Sequence, residues 1–285
     1  MTVRIICDSS QNVPDAYLQQ LGIIECPASV VFGDEIYLNK VEISNEDFYR
    51  RLNGLPKGAS LPTTTQPSPG QFVQALRQAK EEGATGALIT VVSTRLSGTY
   101  NSATQAIEQE TGLPVRVWDT ASASMGAGWQ TIRAAELAQQ GTNLDEIVAA
   151  LPAVQQSLTT VFTVDTLKYL AASGRLTQAQ RLMGSLLNVK PMLLIEDGIL
   201  KPIGRERGRK SAKAALIELA RSRAGNAPVR VAIAHANVLD EAIALEPAVR
   251  DALNVQEVVF IELGPVLAAL AGPGVMALAV LQEQA

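Results

Sequence analysis

Apolar strand patterns and helical patterns alternate from the first residues of the chain, and this alternation is what most constrains the fold. Val3–Cys7 has the pattern of a buried strand, and Pro14 and Gly22 bracket a short helix after it. Ala87–Val92 predicts another strand, which leads into a helix over Thr99–Glu110. Because strands that alternate with helices build βαβ units, we expect a mostly parallel sheet covered on both faces.

The pattern changes near residue 157, where a hairpin signal enters. Two apolar segments, residues 191–195 and 199–203, flank an Asp197-Gly198 pair. An Asp-Gly turn between such segments is typical of a β-hairpin, whose strands pair antiparallel. We therefore expect an α/β protein of two domains. Residues 1–156 would form a three-layer α/β/α domain with a mostly parallel sheet, and residues 157–285 an α/β domain with a mixed sheet.

Composition limits the classes of function. Of the 285 residues 47% are hydrophobic and 18% charged, which is ample for a sizeable core. The net charge is −4 and no basic patch dominates, so we expect no nucleic-acid partner. Cys7 and Cys26 lie in or near apolar strand patterns and are expected to be buried free thiols. One histidine, His235, gives no basis for a His-based triad or a metal site, so we expect no metal.

A long uncharged stretch near the C-terminus tests the idea of a membrane span. Leu263–Leu281 has roughly the length that a span needs. Gly264-Pro265 and Gly272-Pro273-Gly274 interrupt it, which favours a buried loop followed by a short helix. The N-terminus begins with a strand pattern rather than a signal peptide. We expect a cytoplasmic protein without stable membrane insertion.

Two hydroxyl-rich loops lie about one βα unit apart. Residues 63–69 read Thr-Thr-Thr-Gln-Pro-Ser-Pro, and residues 96–100 read Leu-Ser-Gly-Thr-Tyr. Each precedes a helical pattern, where hydroxyls and free backbone N–H groups favour a small anion. Two such turns at neighbouring strand ends would converge at the rim of a parallel sheet. This pattern predicts a site for a carboxylate or a phosphate.

Other interpretations of these loops remain open. Ser97 and Thr99 could simply cap the following helix, and Thr64 could simply turn its loop. Asp8 and Asp119 each follow a strand, where an Asx turn or a cap is the simpler role, and neither is assigned as a catalytic base.

Besides a protein that only binds such an anion, two classes of function remain open. Ser97 could be the nucleophile or anion clamp of an enzyme acting on a small phosphorylated or carboxylated metabolite. No Gly-x-Ser-x-Gly elbow surrounds Ser97, however, and no nucleotide-binding motif is present, so we expect no cofactor. The third possibility is a structural or regulatory module.

A series of motifs distributed over most of the chain resembles the DegV family, the fatty-acid-binding proteins that serve bacterial fatty acid kinase. Each motif is weak alone, but their order and spacing make the resemblance specific. In chain order they are Asp8-Ser9-Ser10, Thr64-Thr65-Gln66-Pro67-Ser68-Pro69, Leu96-Ser97-Gly98-Thr99-Tyr100, Asp119-Thr120 with Ser122, Ser124 and Gly126, Phe162-Thr163-Val164-Asp165-Thr166-Leu167, Ser173-Gly174-Arg175, Lys190-Pro191 and Asp197-Gly198.

The resemblance implies a carrier without catalytic residues of its own. It would bury a long-chain fatty acid in a tunnel closed by the second domain and present the carboxylate to the catalytic subunit of a fatty acid kinase, which forms an acyl-phosphate. The residues implied to bind the carboxylate are Thr64, Thr65, Ser97 and Gly98. The basic residues implied to contact the partner or the head group are Arg175 and Arg207.

Two features bear on that expected site. The family has a histidine before a Gly-Pro-Gly turn that matches Gly272-Pro273-Gly274, but this chain has Leu270 at that position. The small residues Ala121, Ala123, Gly126 and Gly128 could leave room for an acyl chain or could allow close helix–sheet packing.

Overall fold

A computed structural model of the protein describes residues 2–56, 58–110, 112–176 and 189–283. The chain divides into two compact units, each built from two segments. The first unit comprises Met1–Ser29 and Thr65–Gln156. The second comprises Val30–Thr64 and Ser157–Ala285.

The secondary structure alternates as the sequence patterns predict. In chain order the strands are β1 (Val3–Asp8), β2 (Ile24–Cys26), β3 (Ser29–Phe32), β4 (Glu35–Leu38), β5 (Thr63–Thr65), β6 (Gly86–Val91), β7 (Val115–Asp119), β8 (Leu158–Thr163), β9 (Val189–Glu196), β10 (Ile199–Arg207), β11 (Pro228–His235), β12 (Asn254–Glu262) and β13 (Met276–Gln282). The α-helices are α1 (Asp15–Leu21), α2 (Asn45–Asn53), α3 (Pro69–Glu81), α4 (Thr99–Gln109), α5 (Met125–Gln139), α6 (Leu144–Gln156), α7 (Lys168–Ala172), α8 (Gly208–Ala224), α9 (Leu239–Ile243), α10 (Glu246–Ala252) and α11 (Pro265–Ala271).

The first unit contains the predicted three-layer α/β/α arrangement. Its sheet has the strand order β2-β1-β6-β7, and every pair of neighbours is parallel. On one face, Phe72 and Leu76 of α3 and Ala103 of α4 pack against Ile89 of the sheet. On the other face, α5 approaches the sheet closely enough for Thr131 Oγ1 to lie 2.7 Å from Thr90 Oγ1. Helices on both faces bury the sheet, which explains why β6 is apolar along nearly its whole length.

The second unit contains the predicted mixed sheet, with the strand order β10-β9-β8-β13-β11-β12. Only β11 and β12 pair in parallel among these neighbours, and the other pairs are antiparallel. The predicted hairpin joins β9 to β10. Its turn residues Asp197 and Gly198 both have positive φ, 53° and 76°, as a tight hairpin turn requires.

The uncharged C-terminal stretch differs from its prediction. We expected a buried loop followed by a short helix, but helix α11 comes first and the buried strand β13 follows it. β13 lies between β8 and β11, and six of its seven residues are buried. A continuous apolar run has no periodicity that separates a buried strand from a buried helix, which is why the prediction was wrong. Among the helices of the described residues, none combines the length and apolarity needed to cross a bilayer.

The segment Val30–Thr64 groups with the second unit, whereas the sequence-based boundaries placed it in a domain of residues 1–156. Hydrogen bonds explain the grouping: Tyr49 Oη donates to Leu263 O at 3.2 Å, and Asn45 Nδ2 donates to Glu262 Oε2 at 3.0 Å. These partners are more than 200 positions apart in sequence, so local patterns carry no signal of the association.

Candidate functional site

The carboxyl ends of three neighbouring strands in the first unit lead into polar loops. β1 ends at Asp8, β6 leads into Val92-Ser93, and β7 ends at Asp119. Because neighbouring parallel strands end at the same edge of a sheet, these loops share one rim. Helix α3 also begins at this rim, since Gln71 Nε2 donates to Pro27 O at 2.8 Å, directly after β2.

The loop between β6 and α4 forms a tight turn over Ser93–Ser97. The amides of Leu96 and Ser97 both donate to Ser93 O, at 2.9 and 3.0 Å. Ser93 N in turn donates to Ser122 O at 2.8 Å, which ties the turn to the loop after β7. The conformation that presents Ser97 is therefore determined by contacts with a neighbouring loop as well as by its own residues.

The N-terminus of α4 is open toward its hydroxyl-rich loop. Gly98 occupies the cap position and has no side chain to satisfy the first-turn N–H groups. Ser97 Oγ lies 2.9 Å from Thr99 Oγ1, so these hydroxyls pair with each other. Within the described part of the chain, no hydrogen bond shows either of them capping α4, which is the alternative role considered above. Open backbone N–H groups beside two hydroxyls suit a small anion.

Helix α3 provides the contrast, because a capping box closes its N-terminus. Ser68 Oγ accepts from Gln71 N at 3.3 Å, and Gln71 Oε1 accepts from Ser68 N at 2.7 Å. Both ends of this capping box are side chains, whereas α4 has no side-chain cap at its N-cap residue. The hydroxyl of Ser68 is therefore structural.

Gln66 brings the first hydroxyl-rich loop onto the second. Gln66 Nε2 donates to Ser102 Oγ on α4 at 3.3 Å. A Cβ atom built at Gly98 would lie only 2.8 Å from Gln66 Nε2, so this approach depends on glycine. Thr65, next to Gln66, is exposed, and Ser97 and Gly98 are half-buried. Thr64 is half-buried on β5 and is counted with the second unit.

A buried polar network lies behind the rim. Asp8 is 1% exposed and accepts hydrogen bonds from Val92 N at 2.8 Å and from Ser10 N at 3.0 Å. The bond from Ser10 N confirms the Asx-turn role, and burial raises the pKa of Asp8 against the effect of these donors. Gln11 Nε2 donates to Thr90 O at 2.7 Å, which joins the loop after β1 to β6. The network holds the strand ends in register.

Three of the six non-glycine residues with positive φ in the described part of the chain lie in the loops of this rim. Asn12, Ala121 and Ser124 are not glycines, yet their φ angles are 53°, 45° and 48°. Such conformations cost of order 1–3 kcal/mol each and tend to occur at functional sites. Hydrogen bonds hold them, including one of 3.2 Å from Ser124 N to Ser10 O. No glycine in the sequence announced these positions, so local pattern reasoning missed them.

Gly128, one of the small residues of α5, serves close packing of this helix. A Cβ atom at Gly128 would lie 2.7 Å from Met125 Sδ and 3.1 Å from Gln11 O. Gly128 therefore lets α5 approach the loop after β1. Of the two interpretations of these small residues, close packing is the correct one for Gly128.

Other chemistry-bearing residues have structural surroundings. Cys7 and Cys26 are buried free thiols, as predicted, and burial is the main cause that raises the pKa of Cys26. His235 is 2% exposed, and its Nδ1 accepts from Val238 N at 3.4 Å. Burial lowers the pKa of His235, which favours the neutral imidazole. Among the described residues, no cluster of His, Cys, Asp and Glu is arranged to hold a metal ion.

Comparison with known proteins decides the family. The model of the DegV family, described as "Uncharacterised protein, DegV family", matches residues 2–283. The chain belongs to the DegV family. A DegV domain-containing protein of Streptomyces coelicolor is 37% identical, with 98% of both chains covered. Another, from Deinococcus radiodurans, is also 37% identical over 98% of both chains.

Solved structures of DegV proteins share this fold. A DegV family protein from Thermus thermophilus, described by its fatty acid binding, has a TM-score of 0.91 and 33% identity, covering 99% of this chain and 100% of that one. A protein from Thermotoga maritima, described as revealing a fatty acid binding function, has a TM-score of 0.89 and 30% identity over 99% of this chain and 100% of that one. DegV of Bacillus subtilis, described as a fatty acid binding protein, has a TM-score of 0.87 and 28% identity with the same coverage.

The two basic residues expected to contact the partner or the head group of this DegV chain, Arg175 and Arg207, lie in its second unit. Arg175 is half-buried and donates through Nη1 to Ser173 O at 2.6 Å, while Arg207 is exposed at the start of α8. Arg209, which was not singled out as a site residue, is tied into the structure. Its Nη1 donates to Asp165 Oδ1 at 2.6 Å and to Gly274 O at 2.9 Å. Arg209 thus anchors the turn that follows α11.

Leu270 lies half-buried on α11, just before the Gly-Pro-Gly turn of this DegV chain. The turn itself needs its glycines. A Cβ atom at Gly272 would lie 2.3 Å from the ring of Tyr169, and one at Gly274 would lie 2.3 Å from Asp165 Oδ2. The Gly-Pro-Gly turn therefore depends on its glycines, and Leu270 lies two residues before it.

Proposed function

We propose that this protein is a carrier that binds one long-chain fatty acid and presents the carboxylate to a separate fatty acid kinase. The kinase would use ATP to form an acyl-phosphate, which the carrier would also hold. Thr64, Thr65, Ser97 and Gly98 are the proposed carboxylate-binding residues. DegV proteins from three bacteria, 28–33% identical to this chain, are described as fatty-acid-binding, which supports the proposal.

The open N-terminus of α4 is the observation that carries the proposal. Ser97 and Thr99 lie 2.9 Å apart and share one hydroxyl hydrogen, so the other hydrogen remains available to a ligand oxygen. Backbone N–H groups at a helix N-terminus carry partial positive charge and form strong hydrogen bonds to a carboxylate. These donors are uncharged, so the carboxylate would be oriented without a permanent ion pair. This suits a head group that must be handed on.

The acyl chain would supply most of the affinity. Each buried CH₂ group contributes about 0.8 kcal/mol, so a long chain binds tightly through its carbons alone. Loss of a protein hydroxyl that binds the carboxylate should therefore change the orientation of the carboxylate more than the amount of lipid bound. This separates the carrier from a serine enzyme, which would lose turnover without any effect on lipid.

The contacts of Ser97 do not support the alternative function, an enzyme that acts on a small metabolite with Ser97 as its nucleophile. In the described structure Ser97 Oγ pairs with Thr99 Oγ1, and no imidazole or carboxylate partner is recorded for it. The imidazole of His235 accepts a hydrogen bond from Val238 N. Nucleophilic serines need an adjacent base.

The first experiment is mass spectrometry of lipid extracted from the purified protein, calibrated against protein concentration. We expect near-stoichiometric fatty acid. An empty protein that also fails to take up added fatty acids would overturn the carrier function.

A variant series then tests the proposed residues with the kinase catalytic subunit and ATP. We expect Thr64→Ala, Thr65→Ala and Ser97→Ala to reduce acyl-phosphate formation while retaining bound lipid. Thr104→Ala is the matched control, since its hydroxyl donates to the backbone carbonyl of Tyr100 within α4. Equal activity of Ser97→Ala and Thr104→Ala would remove Ser97 from the site.

Arg175 and Arg207 are proposed to contact the kinase or the phosphorylated head group. We expect Arg175→Ala and Arg207→Ala to lower acyl-phosphate formation without changing bound lipid. Arg221→Ala on α8 is the control, because Arg221 forms an ion pair with Glu218 on its own helix. A normal rate with both proposed variants would exclude these roles.

A further inference from the structure

The carboxylate of Asp119, at the end of β7, forms hydrogen bonds to the turn that precedes α4. Asp119 Oδ1 accepts from Thr94 N at 3.2 Å, and Asp119 Oδ2 accepts from Thr94 Oγ1 at 2.5 Å. Oδ1 also accepts from Ala121 N at 2.9 Å, which fixes the carboxylate relative to its own loop. Both oxygens are therefore used, and together they set the position of Thr94.

The position of Thr94 is transmitted to Ser97 through one short turn. Thr94 is bonded to Ser93, whose carbonyl accepts from Ser97 N at 3.0 Å. Ser93 N also donates to Ser122 O at 2.8 Å, three residues after Asp119. The loop after β7 thus holds Ser93 through a backbone bond and Thr94 through a side chain. Ser97 has little freedom to move once these two residues are in place.

We propose that Asp119 is a positioning residue of the carboxylate site, which acts by anchoring the Ser93–Ser97 turn so that Ser97 and the N–H groups of α4 point at the ligand. This role rests on the proposed function. Asp119 acts through Thr94 and does not itself bind the fatty acid. The negative charge is not required for this role, because the hydrogen-bond geometry does the anchoring.

Two substitutions at residue 119 separate geometry from charge. Asp119→Asn keeps an Oδ1 acceptor for both N–H groups, and its amide can donate to the hydroxyl of Thr94, which can act as acceptor. Asp119→Ala removes the anchor and the charge together. Loss of a nearby negative charge alone would make the bound carboxylate easier to ionise in both variants. Loss of positioning would make it harder to ionise in the alanine variant alone.

The experiment is an NMR pH titration of oleic acid, isotopically labelled at the carboxyl carbon and bound to the protein. We expect the titration midpoint of the ligand to rise by about one pH unit or more in Asp119→Ala, the equivalent of one lost charge-assisted hydrogen bond. Asp119→Asn should stay near wild type. Asp145→Ala, which removes an exposed carboxylate paired with Arg116, is the control and should not move the midpoint.

Thr94→Ala gives a second, independent readout. It removes the hydroxyl bond but keeps the backbone bond, so we expect a smaller rise, and in the double variant with Asp119→Ala it should add little. If Asp119→Ala fails to fold, as judged by circular dichroism, the titration midpoint in Thr94→Ala decides whether the positioning role holds. An unchanged midpoint in Thr94→Ala, or a lowered midpoint in both variants at residue 119, would overturn the positioning role.

The two proposals fail in different ways. A wild-type protein that binds no oleic acid would overturn the proposed function and the positioning role with it. Normal binding with a wild-type midpoint in Asp119→Ala would overturn the positioning role alone.

Discussion

Asp8 and Val92 are joined by a hydrogen bond of 2.8 Å from the backbone N–H of Val92 to the Asp8 carboxylate. The bond links the end of β1 to the residue that follows β6, 84 positions later. It lies directly before the turn that presents Ser97. A buried carboxylate thus helps to define the rim on which the proposed site depends.

We expect Asp8→Asn to destabilise the protein by about 1–3 kcal/mol, the usual cost of a buried hydrogen-bonding group that loses its partner. Val92 N and Ser10 N donate to different oxygens of Asp8, Oδ2 and Oδ1, and an asparagine keeps an acceptor at only one of these two positions. Urea unfolding measures the change. Asp15→Asn, at an exposed aspartate in the first turn of α1, is the control. Equal stabilities of the two variants would contradict the prediction.

Gly98→Ala should destabilise the protein by displacing the side chain of Gln66. The φ angle of Gly98, −79°, is acceptable for alanine, so the cost comes from the new Cβ atom, 2.8 Å from Gln66 Nε2. Gln66 must then move and give up its bond to Ser102, at a cost of about 1 kcal/mol in the free energy of unfolding.

A double-mutant cycle with Gln66→Ala isolates this contact, because the alanine at 98 should cost almost nothing once Gln66 is absent. Gly70→Ala in α3 serves as the control, since its nearest neighbour, Ser68 Oγ, is 3.8 Å away. Additive effects at residues 66 and 98 would rule the contact out as the cause.

We expect His235 to make the stability of the protein depend on pH. Because it is the single histidine of the chain, no other histidine contributes to this dependence. Burial lowers its pKa in the folded protein, so its contribution is present above the ordinary histidine pKa and is lost as pH falls through the lowered value. His235→Asn keeps an acceptor for Val238 N but does not titrate.

We therefore expect the wild type to lose stability relative to His235→Asn as the pH falls below about 6.5. Urea midpoints measured at several pH values test this, and parallel curves for the two proteins would refute it. The imidazole resonances of the wild type report the folded-state pKa directly.

Gly274→Ala should lower the free energy of unfolding more than most glycine substitutions in this chain. Its φ is +81°, and the new Cβ atom would lie 2.3 Å from Asp165 Oδ2, within the ion pair with Arg209. Gly141 has almost the same φ, +85°, but an added Cβ atom would meet no described atom within 4 Å. Gly141→Ala therefore measures the backbone cost alone, about 1–2 kcal/mol.

The difference between the two variants in thermal or urea unfolding reports the disrupted Asp165–Arg209 contact. We expect at least about 1 kcal/mol beyond the control. If the two variants are equally stable, the contact makes no net contribution.

Local patterns predicted the elements whose signals are local. Ser44 directly precedes the helical pattern of α2, the position that favours a serine N-cap, and its Oγ accepts from Asp47 N at 3.1 Å. The Asp197-Gly198 pair was expected to turn a hairpin, and it does so. These motifs satisfy their own backbone within a few residues, so their sequence is sufficient to specify them.

Patterns failed where a choice depended on partners elsewhere in the chain. β13 became a strand because β8 and β11 offer it two edges, which no local signal announces. Tertiary packing therefore decided between states that the residues of β13 alone allow.

By itself the sequence determined the fold class, the family and the hydroxyl-rich loops, because periodicity, turn chemistry and motif order are properties of neighbouring residues. Only the tertiary structure decided how those loops are held. Gln66 meets Ser102 across 36 positions, and Asp119 meets Thr94 across 25. A hydrogen bond depends on distance and direction in space, and only the folded backbone brings such separated donors and acceptors within reach of each other.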